Sequence, residues 1–210
     1  MGELYPRVQF SLLVAHQLVG VTISVFVRTD YIDTIRKVEI ASKKTGMGGI
    51  TGNKGSVAVR MDIHNTGFCF VVSHFTAGQE NVLERERDMN FALRELQTRG
   101  SRSILANDVV FWLGDFNYRV ELDRDSALEL IREKDFETLR SHDQLSQRMS
   151  YGLVFEGFSE PPINFAPTYK YDAGTNVYDT SEKMRTPSWT DRILFRGTGV
   201  RSSIFFNSVF

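Results

Sequence analysis

The chain has 210 residues, of which 41% are hydrophobic and 24% charged, and a formal net charge of −1. That length and composition suit one globular domain with a core of its own. The near-zero charge excludes a global field drawing the molecule to nucleic acid or an anionic membrane, so any anion site must be a local cluster of cations. Phe10 to Val27 carries no Asp, Glu, Lys or Arg, yet His16, Gln17, Thr22 and Ser24 interrupt it. Two buried strands, or a strand and a short turn, fit it better than a membrane span. Within it, Leu18 to Val27 is β-rich and reads as a central strand. Asp30 to Glu39 reads as a loop or short helix. Lys43 to Gly55 is glycine-rich but matches neither phosphate-loop spacing. It is either a flexible inter-strand loop or, with Asn53 and Lys54 at its end, backbone that brings an amide and a cation to a ligand.

Val57, Val59, Met61 and Ile63 alternate with Ala58, Arg60 and Asp62, which predicts a half-buried strand. After a turn, Phe68 to Val72 predicts its hairpin partner, ending at Ser73-His74. Cys69, the one cysteine, reads as a buried structural thiol, and such cysteine usage fits a cytosolic setting. Gln79 to Arg99 predicts a helix with Val82, Met89, Leu93 and Leu96 on one stripe and Glu84 to Asp88 on a solvated face. Val109 to Leu113 is a short unbroken apolar run, a strand buried on both faces, with Gly114 as a sharp exit. Asp115 and Asn117 follow, spaced to face one side of an extended backbone. They make either an Asx turn closing the strand or the polar mouth of an α/β active site. His74 ends its strand as Asp115 does, so the two can share one rim.

Ser126 to Glu129 reads as a capping box starting a helix, with Leu128 and Ile131 facing in. Glu137 to Leu145 predicts another helix, and Pro161-Pro162 opens an irregular region. There, cations alternate with aromatics through Pro167 to Asp172 and Lys183 to Phe195. Stacking on nucleic acid, a phosphate pocket and an ordinary surface loop all fit that pattern. Ile193 to Phe195 is a short strand with Asp191 at its entrance. No repeat or linker divides the chain, so residues 1–210 read as a single domain.

Five stretches in order carry a resemblance: Gly52-Asn53-Lys54-Gly55, Ser73 to Gly78, Trp112 to Arg119, Pro167 to Asp172, and Arg185 to Leu194. Together they resemble the inositol polyphosphate 5-phosphatase family, most of all its synaptojanin-type members, from about Gln17 to Arg196. The resemblance implies an α/β fold of the deoxyribonuclease I type, a sandwich of two sheets flanked by helices. It also implies Mg²⁺-dependent removal of the 5-phosphate of phosphatidylinositol 4,5-bisphosphate by in-line attack of water. By position, Asp115 would orient or deprotonate that water, Asn117 would bond the phosphoryl oxygens and His74 would contact the scissile phosphate. Asn53 and Lys54 would line the pocket. Tyr169, Lys170, Lys183 and Arg185 would hold the 4-phosphate, and Asp191 would orient a catalytic histidine.

The family also has a Mg²⁺-ligating Glu ahead of the region resembling Leu18 to Val27 and a Ser-Asp-His segment after the strand that Ile193 begins. Neither pattern is present here. The expectation is therefore a domain truncated at both ends, with its main Mg²⁺ ligand missing and its metal ligands unassigned. A nuclease of the same fold, a catalytically impaired phosphoinositide-binding fragment and a protein-interaction module are the alternatives; Tyr169, Lys170, Lys183 and Arg185 favour an inositol ring. The implied partner is a phosphoinositide lipid at membrane surfaces, with no nucleic acid. The implied setting is cytoplasmic, peripheral to membranes and concerned with membrane trafficking.

Overall fold

A computed structural model describes residues 8–18, 20–45, 53–97 and 102–200. Strands β1 (Phe10–Leu18) and β2 (Val21–Arg28) form an antiparallel hairpin. Gly20 turns it at φ +77, where an added Cβ would lie 2.6 Å from the Asn53 carbonyl oxygen, so a side chain fits neither the backbone nor the space. Leu18 closes β1 rather than opening a central strand, and among the described residues β2 pairs with β1 alone.

The second sheet runs in the order β3 (Ile35–Lys44), β4 (Gly55–Ile63), β5 (Thr66–His74), β6 (Val109–Asp115), β7 (Asp191–Gly197). Only β5 and β6 are parallel, and helix α1 (Val82–Glu95) lies in the crossover between them. The alternating pleat then builds two cores. Val57, Val59 and Met61 face the hairpin, where Val21 and Ile23 are buried against them. Ala58, Cys69, Val71, Val110 and Trp112 face the other way, against Met89, Ala92 and Leu96. This is the expected two-sheet sandwich with helices on its flank.

Several elements differ from the sequence expectations. Asp30 to Glu39 holds a 3₁₀ turn (Thr29–Thr34) and then the start of β3. That strand is an edge, and exposed Arg36, Lys37, Lys43 and Lys44 blunt it, which hides its period of two. Strand β4 is buried on both faces from Gly55 to Met61, not on one. Arg85 and Asp88 of α1 are buried, not solvated. Helix α2 (Arg124–Glu133) starts ahead of Ser126, because Asp123 is its cap and accepts from the Ser126 N–H at 2.9 Å. Ala127, Leu130 and Ile131 pack with Leu139 and Trp189, while Leu128 stays half-buried outside that cluster. The single helix expected over Glu137 to Leu145 is two, α3 (Phe136–Ser141) and α4 (Gln144–Ser150). The break falls at Asp143, which caps α4 through the Ser146 N–H at 2.9 Å and accepts a 2.8 Å bond from Arg192.

Strand β6 does not leave the sheet at Gly114. The glycine sits at φ +128, where a Cβ would lie 2.2 Å from the Ser73 carbonyl oxygen. Its role is to let β5 and β6 approach closely, and the strand continues to Asp115.

Candidate active site

The strand ends set the site. Gly55 pairs with His74, His74 with Asp115, and Asp115 with Asp191, so four neighbouring strands contribute one residue each to a single row. Residues opposite one another on adjacent strands point to the same face. His74 Nε2 accordingly lies 3.3 Å from Asp115 Oδ2. Lys54, immediately before β4, brings its Nζ against the same Nε2. One ring nitrogen thus stands between a cation and a carboxylate.

The surrounding charges tune the row. Partial burial pushes the Lys54 ammonium below its ordinary pKa; Asp115 and Asp88 pull it back up, and Arg119 presses it further down. Partial loss of surrounding water raises the Asp191 carboxyl first, and the like charge of Asp115 raises it second. Much of Asp191's surface nevertheless stays open, so solvent screens part of this effect. Beneath the row, Ser73 Oγ accepts from Trp112 Nε1 at 2.8 Å and pairs with Ser56 Oγ at 2.7 Å. The buried polar layer under the site is therefore satisfied there.

Asn117 departs from the expected extended geometry. It sits at φ +57, a conformation Asn tolerates, and its N–H donates to Asp115 Oδ1 at 3.1 Å. The Asx turn and the polar mouth are thus the same feature. Its Nδ2 donates to the Phe75 carbonyl at 3.1 Å. Its Oδ1 accepts from Arg119 Nη2 at 2.8 Å, and its main-chain oxygen accepts from Arg119 Nε at 3.0 Å. The loops on either side are fastened as well. Phe75 N–H donates to the Asp115 carbonyl, and Phe116 N–H to the Thr190 carbonyl. Asp88 Oδ2 accepts from both the N–H and the hydroxyl of Thr76, at 2.8 and 2.7 Å.

Arg119 extends the site sideways, because its guanidinium lies 4.3 Å from the Tyr169 ring centre. Tyr169 in turn neighbours Arg185, whose guanidinium is raised chiefly by its bond to Asp179 and less by the Tyr169 hydroxyl. Asp179 is fully buried and takes Arg185 Nη1 at 2.9 Å. Of the expected shelf, Tyr169 and Arg185 are therefore joined to the rim. Lys170 lends its carbonyl to the Asp179 N–H, and Lys183 is exposed; neither side chain has a bond to the rim among the described residues. Asn53 is exposed at the hairpin turn beside Gly20. Gly52, with the rest of 46–52, lies outside the described residues.

Three contributors escaped the sequence reading: Arg119, Asp88 and Gln144, whose Oε1 accepts from the Arg119 N–H at 2.9 Å. Among the described residues no three His, Cys, Asp or Glu side chains gather closely enough to hold a metal ion. Asp115 and Asp191 face each other, but these residues do not form a Mg²⁺ site by themselves.

The sequence matches the model of Endonuclease/Exonuclease/phosphatase family 2 over residues 3–207. It is 50% identical over 188 residues to Synaptojanin-1 of Homo sapiens, covering 90% of this chain and 12% of that protein. It is 48% identical over 181 residues to Inositol-1,4,5-trisphosphate 5-phosphatase 1 of Schizosaccharomyces pombe, covering 86% of this chain and 17% of that protein. The fold superposes with TM-score 0.86 and 45% identity on the inositol polyphosphate 5-phosphatase domain (IPP5C) of SPsynaptojanin, solved in complex with inositol (1,4)-bisphosphate and calcium ion. That match covers 90% of this chain and 55% of the solved one, whereas the chain spans less than a fifth of the two full-length relatives.

Proposed function

Because the chain belongs to the synaptojanin-type inositol polyphosphate 5-phosphatases of the endonuclease/exonuclease/phosphatase family 2, we propose that it removes the 5-phosphate of phosphatidylinositol 4,5-bisphosphate at the rim formed by His74, Asp115, Asn117 and Asp191. The observation that carries this reading is the row itself, with His74 Nε2 3.3 Å from Asp115 Oδ2 and Asn117 folded over the same end. The lipid headgroup would be met at the cytoplasmic surface of a membrane.

Phosphoryl transfer asks little covalent help of a protein; it needs in-line positioning and donors aimed at the equatorial oxygens. Asp115 is the carboxylate that takes the proton of the attacking water. Its second oxygen is engaged by the Asn117 N–H, so the carboxylate is held in one orientation. Lys54 supplies positive charge to the phosphoryl oxygens, and His74 contacts the scissile phosphate through Nε2. Asn117 donates a side-chain N–H to that phosphate. Asp191 stands opposite Asp115 on the same rim, where it would orient a histidine. Tyr169 and Arg185 receive the 4-phosphate, with Lys170 and Lys183 adding charge from the surrounding loop.

The test compares phosphate release from vesicles containing phosphatidylinositol 4,5-bisphosphate with release from vesicles containing the 4-monophosphate, in a Mg²⁺ buffer, beside nicking of supercoiled plasmid. Release from the bisphosphate alone supports the reading. Plasmid nicking without phosphate release would replace it by a nuclease.

A further inference from the structure

We propose that Arg119 is a positioning residue that fixes the Asn117 amide as an N–H donor toward the phosphoryl group and, by stacking on Tyr169, couples that donor to the ring-phosphate side of the site. The proposal rests on the reading of the rim as an inositol phosphate site.

A guanidinium has only donors, and a main-chain carbonyl only accepts. Arg119 Nη2 meets one end of the Asn117 side chain at 2.8 Å, and the Phe75 carbonyl meets the other at 3.1 Å. Those two neighbours permit one orientation of the amide, with Oδ1 toward Arg119 and Nδ2 toward Phe75. The reverse would set N–H against N–H and oxygen against oxygen. Nδ2 carries two hydrogens, and Phe75 takes one. The second remains for a phosphoryl oxygen, so Asn117 acts as a donor at the rim and not as an acceptor that would repel phosphate.

Arg119 is itself held from several sides. It is 6% exposed. Nε bonds the Asn117 carbonyl at 3.0 Å, which also secures the φ +57 turn. Its main-chain N–H donates to Gln144 Oε1 and its carbonyl accepts from the Gln144 N–H, both at 2.9 Å. The same Oε1 accepts from Arg85 Nη2 at 2.6 Å. The guanidinium carbon lies over the Tyr169 ring, 4.3 Å from its centre. A lysine could keep the charge but not the two-point grip on Asn117 together with the contact over the Tyr169 ring. Because one planar group touches both Asn117 and Tyr169, displacing the tyrosine tilts the group that orients the amide.

The test uses the chain with Arg119→Lys, Tyr169→Phe and Tyr169→Leu. In the absence of ligand, the side-chain amide resonances of Asn117 should move in Arg119→Lys and Tyr169→Leu and stay in place in Tyr169→Phe, which keeps the ring. Affinity is then read calorimetrically with inositol 1,4,5-trisphosphate. Arg119→Lys should weaken it about tenfold, as expected for losing a charge-assisted contact. Tyr169→Leu loses its own 4-phosphate contact in both backgrounds, so it should weaken both, but the wild type by a clearly larger factor than the Arg119→Lys chain, the signature of coupled residues. An unmoved Asn117 amide in Arg119→Lys, or losses that simply multiply, would overturn the proposal. If Arg119→Lys does not fold, the contrast between Tyr169→Leu and Tyr169→Phe decides it, because Tyr169 is only half-buried. If the wild type binds no inositol phosphate, the substrate reading fails, and the ligand-free amide resonances still decide the positioning.

Discussion

Asp115 and Asp191 stand in register across the antiparallel β6–β7 pair, two carboxylates on one rim. Such pairs cost stability when both are ionised, and active sites retain them for their chemistry. Asp191 carries the cost, its pKa being raised from the ordinary 3.8 by partial desolvation and by Asp115. A carboxyl raised in the folded state favours folding below its unfolded pKa and loses that contribution as pH rises through the folded value. Asp191→Asn should therefore raise Tm at pH 7, with the gain fading below about pH 4. Thermal melts across pH check this; a lower Tm at pH 7 would show that Asp191 helps hold the fold.

Asp179 should behave with the opposite sign. It is buried, and bonds first from Ser181 and then from Arg185 hold it well below the usual carboxylate range. Its contribution is present above the unfolded pKa and is lost as pH falls through the depressed folded value. Asp179→Asn should lower Tm at pH 7, and the difference from wild type should shrink in acid. The same melts read both variants, and a constant offset at every pH would contradict the linkage.

Gly114→Ala should be among the most damaging small substitutions. The added carbon would meet the Ser73 carbonyl oxygen at 2.2 Å, on a backbone at φ +128. Backbone has no flexible end to give way, so β5 and β6 must part where His74 faces Asp115. The cost should be about 2–4 kcal/mol. Urea unfolding measures it, and a loss below about 1 kcal/mol would mean that the strands tolerate separation there.

Arg185→Ala should raise KM for a 4,5-bisphosphate more than for a substrate lacking the 4-phosphate, by about 1.5–3 kcal/mol in the difference. Lys170→Ala should act in the same direction but less, because Arg185 is tied to the rim through Tyr169 whereas Lys170 is not. Equal effects on the two substrates would contradict the assignment of a 4-phosphate side.

The strands nearest the site were legible because their neighbours are simple. The unbroken run from Val109 to Leu113 marks a strand, although it is not buried on both faces as expected, since Phe111 and Leu113 are only half-buried. Phe68 to His74 pairs with it as an equally apolar partner. The rim followed from where those runs stop. Arg85 and Asp88 are buried although charge ordinarily marks a solvated face. Their numbers fall with Met89 and Ala92 at i, i+3, i+4 and i+7, so helical periodicity alone sets them on the buried stripe. Strand β3 was hidden for the same reason, its exposed cations being a property of an edge. Arg119 was legible only as a neighbour of Asn117, because its other partners Gln144 and Tyr169 are remote in sequence and only the folded chain brings them together.

The central claim is tested most directly by giving the protein inositol 1,4,5-trisphosphate in a Mg²⁺ buffer and following each phosphate by ³¹P NMR, wild type against Asp115→Asn. The expected result is loss of the 5-phosphate alone in the wild type, and release at least ~10³-fold slower in Asp115→Asn. Loss of a different phosphate, or the same rate in both proteins, would contradict it.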